Sequence, residues 1–145
     1  MPLFSESGAP SAFTTIPFAD WQSRTDWPAV SLANTDPVED LASHVGRLRL
    51  IELHFPKFSD GRAYSQARLL RGRLGYRGEL RATGNVLRDQ LPFLLRCGFD
   101  SFESDQPGFD EALASARSLF SVVYQATEDG RVPASRLRLG ADATV

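Results

Sequence analysis

The sequence predicts an α/β fold in which about four βα units form a small parallel sheet covered by helices. Strand-like and helix-like patterns alternate between residues 29 and 124, and glycine or proline marks most of the boundaries. Each strand–helix pair takes roughly 20–25 residues, which suits a parallel crossover. Four such units cannot close a standard barrel, so the layout is either half-barrel-like or an open doubly wound sheet.

The 145 residues divide into three expected parts. Residues 1–28 are interrupted by prolines but carry Trp21 and Trp27, so we expect an arm that packs on the domain with some extended structure. Residues 29–125 form the single α/β domain. Residues 126–145 turn polar and are expected to be a flexible tail.

The first half of the domain shows two strands and two helices. A strand covers residues 29–33, and a helix follows with Asp36 as its N-cap and ends at Gly46. A second strand covers residues 48–55. The next helix starts near residue 61 and ends at Gly75.

The second half repeats the same alternation. A strand covers residues 79–83, and Asn85 leads into a helix that Pro92 should kink or split into two short pieces. A short strand over residues 99–103 follows. The last helix starts at Phe109 and runs to about residue 124, because its apolar residues keep helical spacing.

Composition limits the function classes. The formal net charge of −2 and pI of about 5.7 give no basic field, so we expect no nucleic acid partner. Apolar runs are too short to span a membrane, and the start shows no secretory pattern, so with the single Cys97 we expect a cytoplasmic protein. No dinucleotide, P-loop or metal-ligand motif is recognisable, so the sequence leaves any cofactor unknown.

The candidate site lies where strands end, because function in parallel α/β folds gathers at their carboxyl ends. The candidate catalytic residues are Lys57, Asp60 and Tyr64; Lys57 is the only lysine of the sequence. The candidate binding residues are polar groups of the same loops and helix starts, namely Arg62, Ser65, Arg68, Arg81, Asn85, Asp89 and Gln90. Cations beside helix starts predict a site for a small oxyanion such as sulfite, sulfate or phosphate.

Arg81 is unusual because it stands inside a strand. Its neighbours in sequence point the opposite way, so a buried guanidinium here needs a carboxylate partner. The candidates for that partner are Glu52, Glu79, Asp89 and Glu103. We also expect the Lys57 loop, Arg81 and Asn85 to lie side by side along one edge of the sheet, the edge formed by the carboxyl ends of the strands.

Residues 55–102, FPKFSDGRAYSQARLLRGRLGYRGELRATGNVLRDQLPFLLRCGFDSF, resemble the bacterial domain-of-unknown-function family 934. This family is often labelled "oxidoreductase probably involved in sulfite reduction". The resemblance implies a link to assimilatory sulfite reduction, with sulfite reductase as a partner, because members are typically encoded beside reductase components. It brings no established catalytic residues.

Three hypotheses for function remain open. The first is an accessory protein or oxidoreductase component of sulfite reduction that binds a small oxyanion or the reductase. The second is a small half-barrel-like enzyme that uses Lys57 as a base or Schiff-base lysine. The third is a non-catalytic scaffold that forms a homodimer through its sheet edges or apolar faces.

Overall fold

The computed structural model describes residues 3–5, 11–57, 59 and 61–128, with residues 119–128 as backbone alone. Six strands form one sheet: β1 Leu3–Ser5, β2 Ile16–Pro17, β3 Ala29–Leu32, β4 Leu50–Phe55, β5 Glu79–Gly84 and β6 Ser101–Glu103. The helices are α1 Phe18–Trp21, α2 Gly61–Arg68, α3 Leu91–Arg96 and α4 Phe109–Glu128. Two 3₁₀ turns, Val38–Leu41 and Arg88–Gln90, and a π-helical turn, Leu69–Arg73, complete the elements.

The strand order β1-β6-β5-β4-β3-β2 confirms the α/β class. Strands β2 to β6 are parallel and follow one another in chain order, whereas β1 pairs antiparallel with β6. A right-handed crossover repeated in one direction places every connecting helix on the same face of the sheet. A doubly wound sheet reverses direction at a switch point. The observed order does not, so the sheet is singly wound, like half of a barrel.

The helix-covered face of the sheet is the hydrophobic core. Alternate residues of the strands point to it, including Ile51, Leu53 and Phe55, and these side chains are at most 2% exposed. The ring of Phe109 at the start of α4 lies 6.0 Å from the ring of Phe102 in β6. Burial of this face therefore fixes which residues of β4, β5 and β6 point away from the helices.

The opposite face of the sheet is polar, and the arm crosses it. Strand β1 pairs at the β6 edge and β2 pairs at the β3 edge, and residues 11–15 lie over the strands between these edges. The Ser11 amide donates to Glu79 of β5 at 3.1 Å, and the Thr15 hydroxyl donates to Glu52 of β4 at 3.0 Å. We call residues 11–15 the strap. The predicted arm thus supplies two edge strands and a cover for the polar face.

The helix predicted from Asp36 to Gly46 is wrong: only the 3₁₀ turn Val38–Leu41 forms, followed by further turns. The Asp36 carboxylate accepts the amide of Ala33 at 2.8 Å, so it binds the preceding loop instead of capping a helix. The helix predicted from Asn85 is also wrong in its first part, because residues 85–87 are not helical and only a 3₁₀ turn precedes α3. Pro92 lies in the first turn of α3, where a proline is tolerated, and not inside a longer helix. Most of the predicted tail lies outside the described residues, and α4 extends to Glu128.

Within the described residues, no helix has the length and apolar character needed to cross a membrane.

Candidate functional site

The carboxyl ends of β4 and β5 are tied together by their backbones. The amide of Asn85 donates to the carbonyl oxygen of Phe55 at 2.7 Å. Gly84 makes this approach practicable, because it adopts a φ of 89° and a Cβ there would collide with that carbonyl oxygen and with the ring of His54. The loop after β5 therefore turns directly across the end of β4.

A shallow cleft lies beside this junction, and its walls leave no room for even a water-sized molecule. Its lining is mostly apolar with three polar side chains, and comprises Phe55, Tyr64, Asn85, Val86, Leu87, Gln90 and Leu94. All three polar groups, Tyr64, Asn85 and Gln90, are predicted site residues. Cofactor and substrate pockets usually enclose roughly 300–1,000 Å³, so this cleft as it stands is a surface for contact and not a pocket that encloses a ligand.

Tyr64 is the central side chain of the cleft. Its hydroxyl donates to Oε1 of Gln90 at 3.1 Å, and its ring lies 5.0 Å from the ring of Phe55. Burial, with a smaller effect from Cys97, raises the pKa of Tyr64 above its ordinary value of 10.0. The phenol therefore stays protonated at neutral pH and serves as a hydrogen-bond donor, not as a base.

Phe93 is the residue of this region that the sequence reasoning missed. It packs against Tyr64 with 4.7 Å between ring centroids, yet 40% of it is exposed. The available signal was periodicity: Leu91, Leu94 and Leu95 follow the apolar face of α3, and Phe93 falls outside it. An aromatic side chain off the buried face of a helix is a candidate contact for another molecule.

The other predicted residues of this edge lie on the surface around the cleft. Lys57 is exposed two residues beyond β4, and the exposed side chains on the outer side of α2 and its neighbouring loop include Arg62, Ser65, Arg68 and Asp89. Asp60 lies outside the described residues. Of the two predicted catalytic residues that the structure describes, Tyr64 lines the cleft and Lys57 does not.

Arg81 does not share this edge, so the predicted alignment of Lys57, Arg81 and Asn85 is wrong. Leu80 and Ala82 point to the helices, which sends Arg81 to the polar face under the strap. It is 3% exposed, and its guanidinium donates to Oε2 of Glu79 at 2.9 Å and to Oε2 of Glu52 at 3.3 Å. The expected carboxylate partner is thus confirmed. Because the guanidinium already binds these carboxylates, Arg81 is unsuited to bind substrate.

Further hydrogen bonds complete this buried cluster. Nε of Arg81 donates to the hydroxyl of Ser101 at 3.2 Å, and Nη2 donates to the carbonyl oxygen of Ser11 at 2.9 Å. Burial acts to raise the pKa of Glu79, but hydrogen bonds from Ser101, Ser11 and Arg81 outweigh it and leave that pKa below its ordinary value. The cluster is a structural ion pair that the strap covers.

The charge around the cleft is also unlike the basic rim that we expected. Among the described segments that follow β3 to β6, the cations are Lys57, Arg62 and Arg88, whereas the carboxylates are Asp36, Glu39, Asp40, Asp89 and Asp105. The side chains that line the cleft itself are uncharged. Among the described residues, no three His, Cys, Asp or Glu side chains group as metal ligands.

A family model described as "Bacterial protein of unknown function (DUF934)" matches residues 29–135. The chain belongs to this family. The match confirms the resemblance drawn from residues 55–102. No curated protein and no solved structure matches the chain.

The DUF934 stretch begins at Ala29, the first residue of β3. It contains every predicted site residue, the cleft and Phe93. The strap and strands β1 and β2 precede it. The matched stretch of this chain therefore contains the four consecutive parallel strands β3 to β6 and their helices, with the cleft at their carboxyl edge.

Proposed function

We propose that the protein is an accessory component of assimilatory sulfite reduction that binds the reductase at its carboxyl edge. The link to sulfite reduction rests on the label attached to the family that the chain resembles. The mode of action rests on the cleft and on Phe93. Function by contact with a partner protein suits this surface better than an enclosed reaction site does.

The observation that carries the proposal is the exposed ring of Phe93 beside a small neutral cleft. Aromatic side chains are enriched at the energetic centres of protein interfaces, where they pair with small pockets that accept a partner's side chain. Here Phe93 stands against Tyr64, whose hydroxyl and the amides of Asn85 and Gln90 supply polar groups at the cleft wall. An apolar contact on Phe93 and hydrogen bonds to the polar groups at the cleft wall would form a compact anchor.

The oxyanion version of the proposal has weaker support. It relied on three converging cations, but Arg81 is paired with Glu79 and Glu52 on the other face of the sheet. Lys57 and Arg62 remain as exposed cations on the loop and first turn beside the cleft. Carboxylates outnumber cations along this edge, which disfavours an anion in the surrounding field.

The other two hypotheses also lack a supporting observation. A lysine that forms a Schiff base is normally activated by a desolvated pocket, whereas Lys57 is exposed. Pairing of sheet edges between two copies would need long regular edge strands. Strand β2 has two residues, one of them Pro17, and β1 has three, so both edges are poor templates for further pairing.

The test is capture of sulfite reductase from a bacterial extract by the immobilised full chain, with the reductase subunits quantified. The wild-type chain should retain the reductase, and Phe93→Ala should reduce its recovery by about tenfold, as expected for an interface anchor. Leu3→Ala is the matched control, because Leu3 is 38% exposed and points from β1 to the polar face. Absence of the reductase, or equal recovery with Phe93→Ala, would reject the carboxyl edge as its binding surface.

A calorimetric titration separates the oxyanion version from the reductase version. Sulfite and sulfate should give no heat of binding with the wild-type chain if the reductase is the ligand. Saturable sulfite binding that Asn85→Ala or Tyr64→Phe abolishes would instead assign the cleft to the anion.

A further inference from the structure

The opposite, amino edge of the sheet is a continuous surface built from the loops that precede β3 to β6. The Arg49 amide donates to the carbonyl oxygen of Pro28 at 2.8 Å, and the Glu79 amide donates to that of Arg49 at 3.1 Å. Arg71 extends the connection, because its guanidinium donates to the carbonyl oxygens of Gly78 at 2.8 Å and of Gly98 at 2.8 Å. These hydrogen bonds therefore link the four loops into one continuous edge.

Exposed arginines concentrate on this edge. They are Arg24, Arg47, Arg49, Arg73, Arg77 and Arg96, which we call the arginine edge. None of the six forms an ion pair with a carboxylate of a described residue. Two carboxylates belong to the same loops: Asp26, which is exposed, and Asp100, which is bound by Arg71. A strongly positive surface thus stands roughly 20 Å, the length of a six-residue strand, from the acidic carboxyl edge.

Aromatic rings hold two of these guanidinium groups in place. The guanidinium of Arg24 lies 4.7 Å from the ring centre of Trp27, and that of Arg49 lies 5.9 Å from the ring centre of Phe13. The indole of Trp27 donates to the carbonyl oxygen of Thr14 at 2.7 Å, which fixes the ring against the strap. Positioned guanidinium groups lose less side-chain freedom when they bind, which favours affinity.

We propose that the arginine edge is a docking surface for a carboxylate-rich surface of a partner protein. Unpaired guanidinium groups repel one another, and carboxylates relieve that repulsion while accepting paired hydrogen bonds in the planar geometry that arginine offers. The inference goes beyond the proposed function and does not depend on it. It gives the molecule a second contact surface on the edge opposite the cleft.

Three observations favour an acidic protein over a nucleic acid. The chain as a whole has a net charge of −2, and its carboxyl edge is acidic, so a long polyanion would be repelled away from the arginine edge. A guanidinium group already lies over one face of the Trp27 ring and one face of the Phe13 ring, so those faces are not open for stacking on bases. A local acidic patch of a folded protein meets the basic edge without reaching the acidic one.

The test is a binding titration of the full chain with a short fluorescent polyglutamate peptide, repeated at several salt concentrations. The wild-type chain should bind at low salt and weaken as salt rises. The double variant Arg77→Glu/Arg96→Glu and the single variant Arg49→Glu should each lower the affinity by about tenfold or more. Arg117→Glu on α4 changes the net charge by the same amount as Arg49→Glu but does not belong to the arginine edge, and it should stay within about twofold of the wild-type chain.

Each other outcome overturns the proposal. No binding of the peptide at low salt removes the docking surface, and an equal loss with Arg117→Glu shows only a response to net charge. Tighter binding of a single-stranded oligonucleotide of the same charge through the same arginines assigns the edge to nucleic acid. Light scattering that shows self-association, abolished by Arg77→Glu/Arg96→Glu, assigns the edge to the acidic face of a second copy.

Discussion

Arg81 and Glu79 lie two residues apart on β5, and their side chains meet under the strap with 2.9 Å between Nη2 and Oε2. The Ser11 backbone closes the pair from above, because its amide donates to Glu79 and its carbonyl oxygen accepts from Arg81. One residue of the strap therefore satisfies both members of a buried ion pair. This arrangement explains why a polar sheet face stays covered in a chain whose helices all lie on the other side.

Removal of Arg81 should destabilise the fold strongly. The variant Arg81→Met leaves the carboxylates of Glu52 and Glu79 close together without their cation, and losing one partner of a buried pair typically costs about 3–5 kcal/mol. Urea unfolding followed by circular dichroism measures the change. Arg117→Met on the exposed side of α4 is the control and should shift the free energy of unfolding by less than about 0.5 kcal/mol. A similar small shift for Arg81→Met would show that the pair is not a structural element.

The same pair predicts how stability depends on pH. The pKa of Glu79 is lower in the folded chain than its ordinary value of 4.5, so its ionised form stabilises the fold above that pH and the stabilisation is lost as the pH falls through the folded-state pKa. The difference in free energy of unfolding between the wild-type chain and Glu79→Gln should be constant from about pH 7 to about pH 5.5 and should shrink below pH 4.5.

The pKa of Asp100 is shifted in the opposite direction, because burial outweighs the effect of Arg71 and raises this pKa above its ordinary value of 3.8. Glu79 is one cause of that rise, so the comparison between the wild-type chain and Glu79→Gln is made in an Asp100→Asn background, where this coupling is absent. A difference that grows as the pH falls would contradict the assignment for Glu79.

Gly78 should be intolerant of any side chain. A Cβ at this position would overlap the hydroxyl and ring of Tyr76, which is 2% exposed and donates to the carbonyl oxygen of Glu79 at 2.9 Å. Gly78→Ala should therefore destabilise the chain by about 1–3 kcal/mol, as overpacking usually does. At Gly46 a Cβ meets nothing within 4 Å, so Gly46→Ala is the matched control in thermal unfolding. Equal melting temperatures for the two variants would refute this packing.

The strap should depend on the hydroxyl of Thr15 but not on that of its neighbour. Thr15→Val removes the donor to Glu52 and should cost about 1 kcal/mol. Thr14 is exposed and contributes its backbone carbonyl oxygen to Trp27, which Thr14→Val keeps. Hydrogen exchange at the Ser11 amide should therefore accelerate in Thr15→Val and stay unchanged in Thr14→Val. Acceleration in neither variant would show that this hydroxyl does not hold the strap.

The sequence predicted the parallel core well, because its strands and helices have clear local patterns. The run from Leu50 to Phe55 and the glycines after the helices are local signals, and the structure places strands and helix ends near them. The helix predicted after Asp36 failed because one carboxylate can cap a following helix or bind a preceding amide. Only the tertiary structure shows that it binds Ala33.

The candidate site could be predicted only in part. Tyr64, Asn85 and Gln90 meet because strand ends and helix starts adjoin in any parallel sheet. Arg81 was wrongly placed along the same edge as Lys57 and Asn85, because alternation along β5 gives the side of the sheet to which Arg81 points but not what covers that side. The cover is the strap, whose irregular sequence carries no periodic signal.

Growth of a deletion strain on defined sulfur sources tests the central claim most directly. A bacterium that lacks this gene should grow with sulfide as its sulfur source but fail with sulfate or sulfite, because the block lies at sulfite reduction. The wild-type gene should restore growth on sulfite, and a gene that carries Phe93→Ala should restore it poorly. Equal growth of the deletion strain on all three sources, or its rescue by sulfite, would contradict the account.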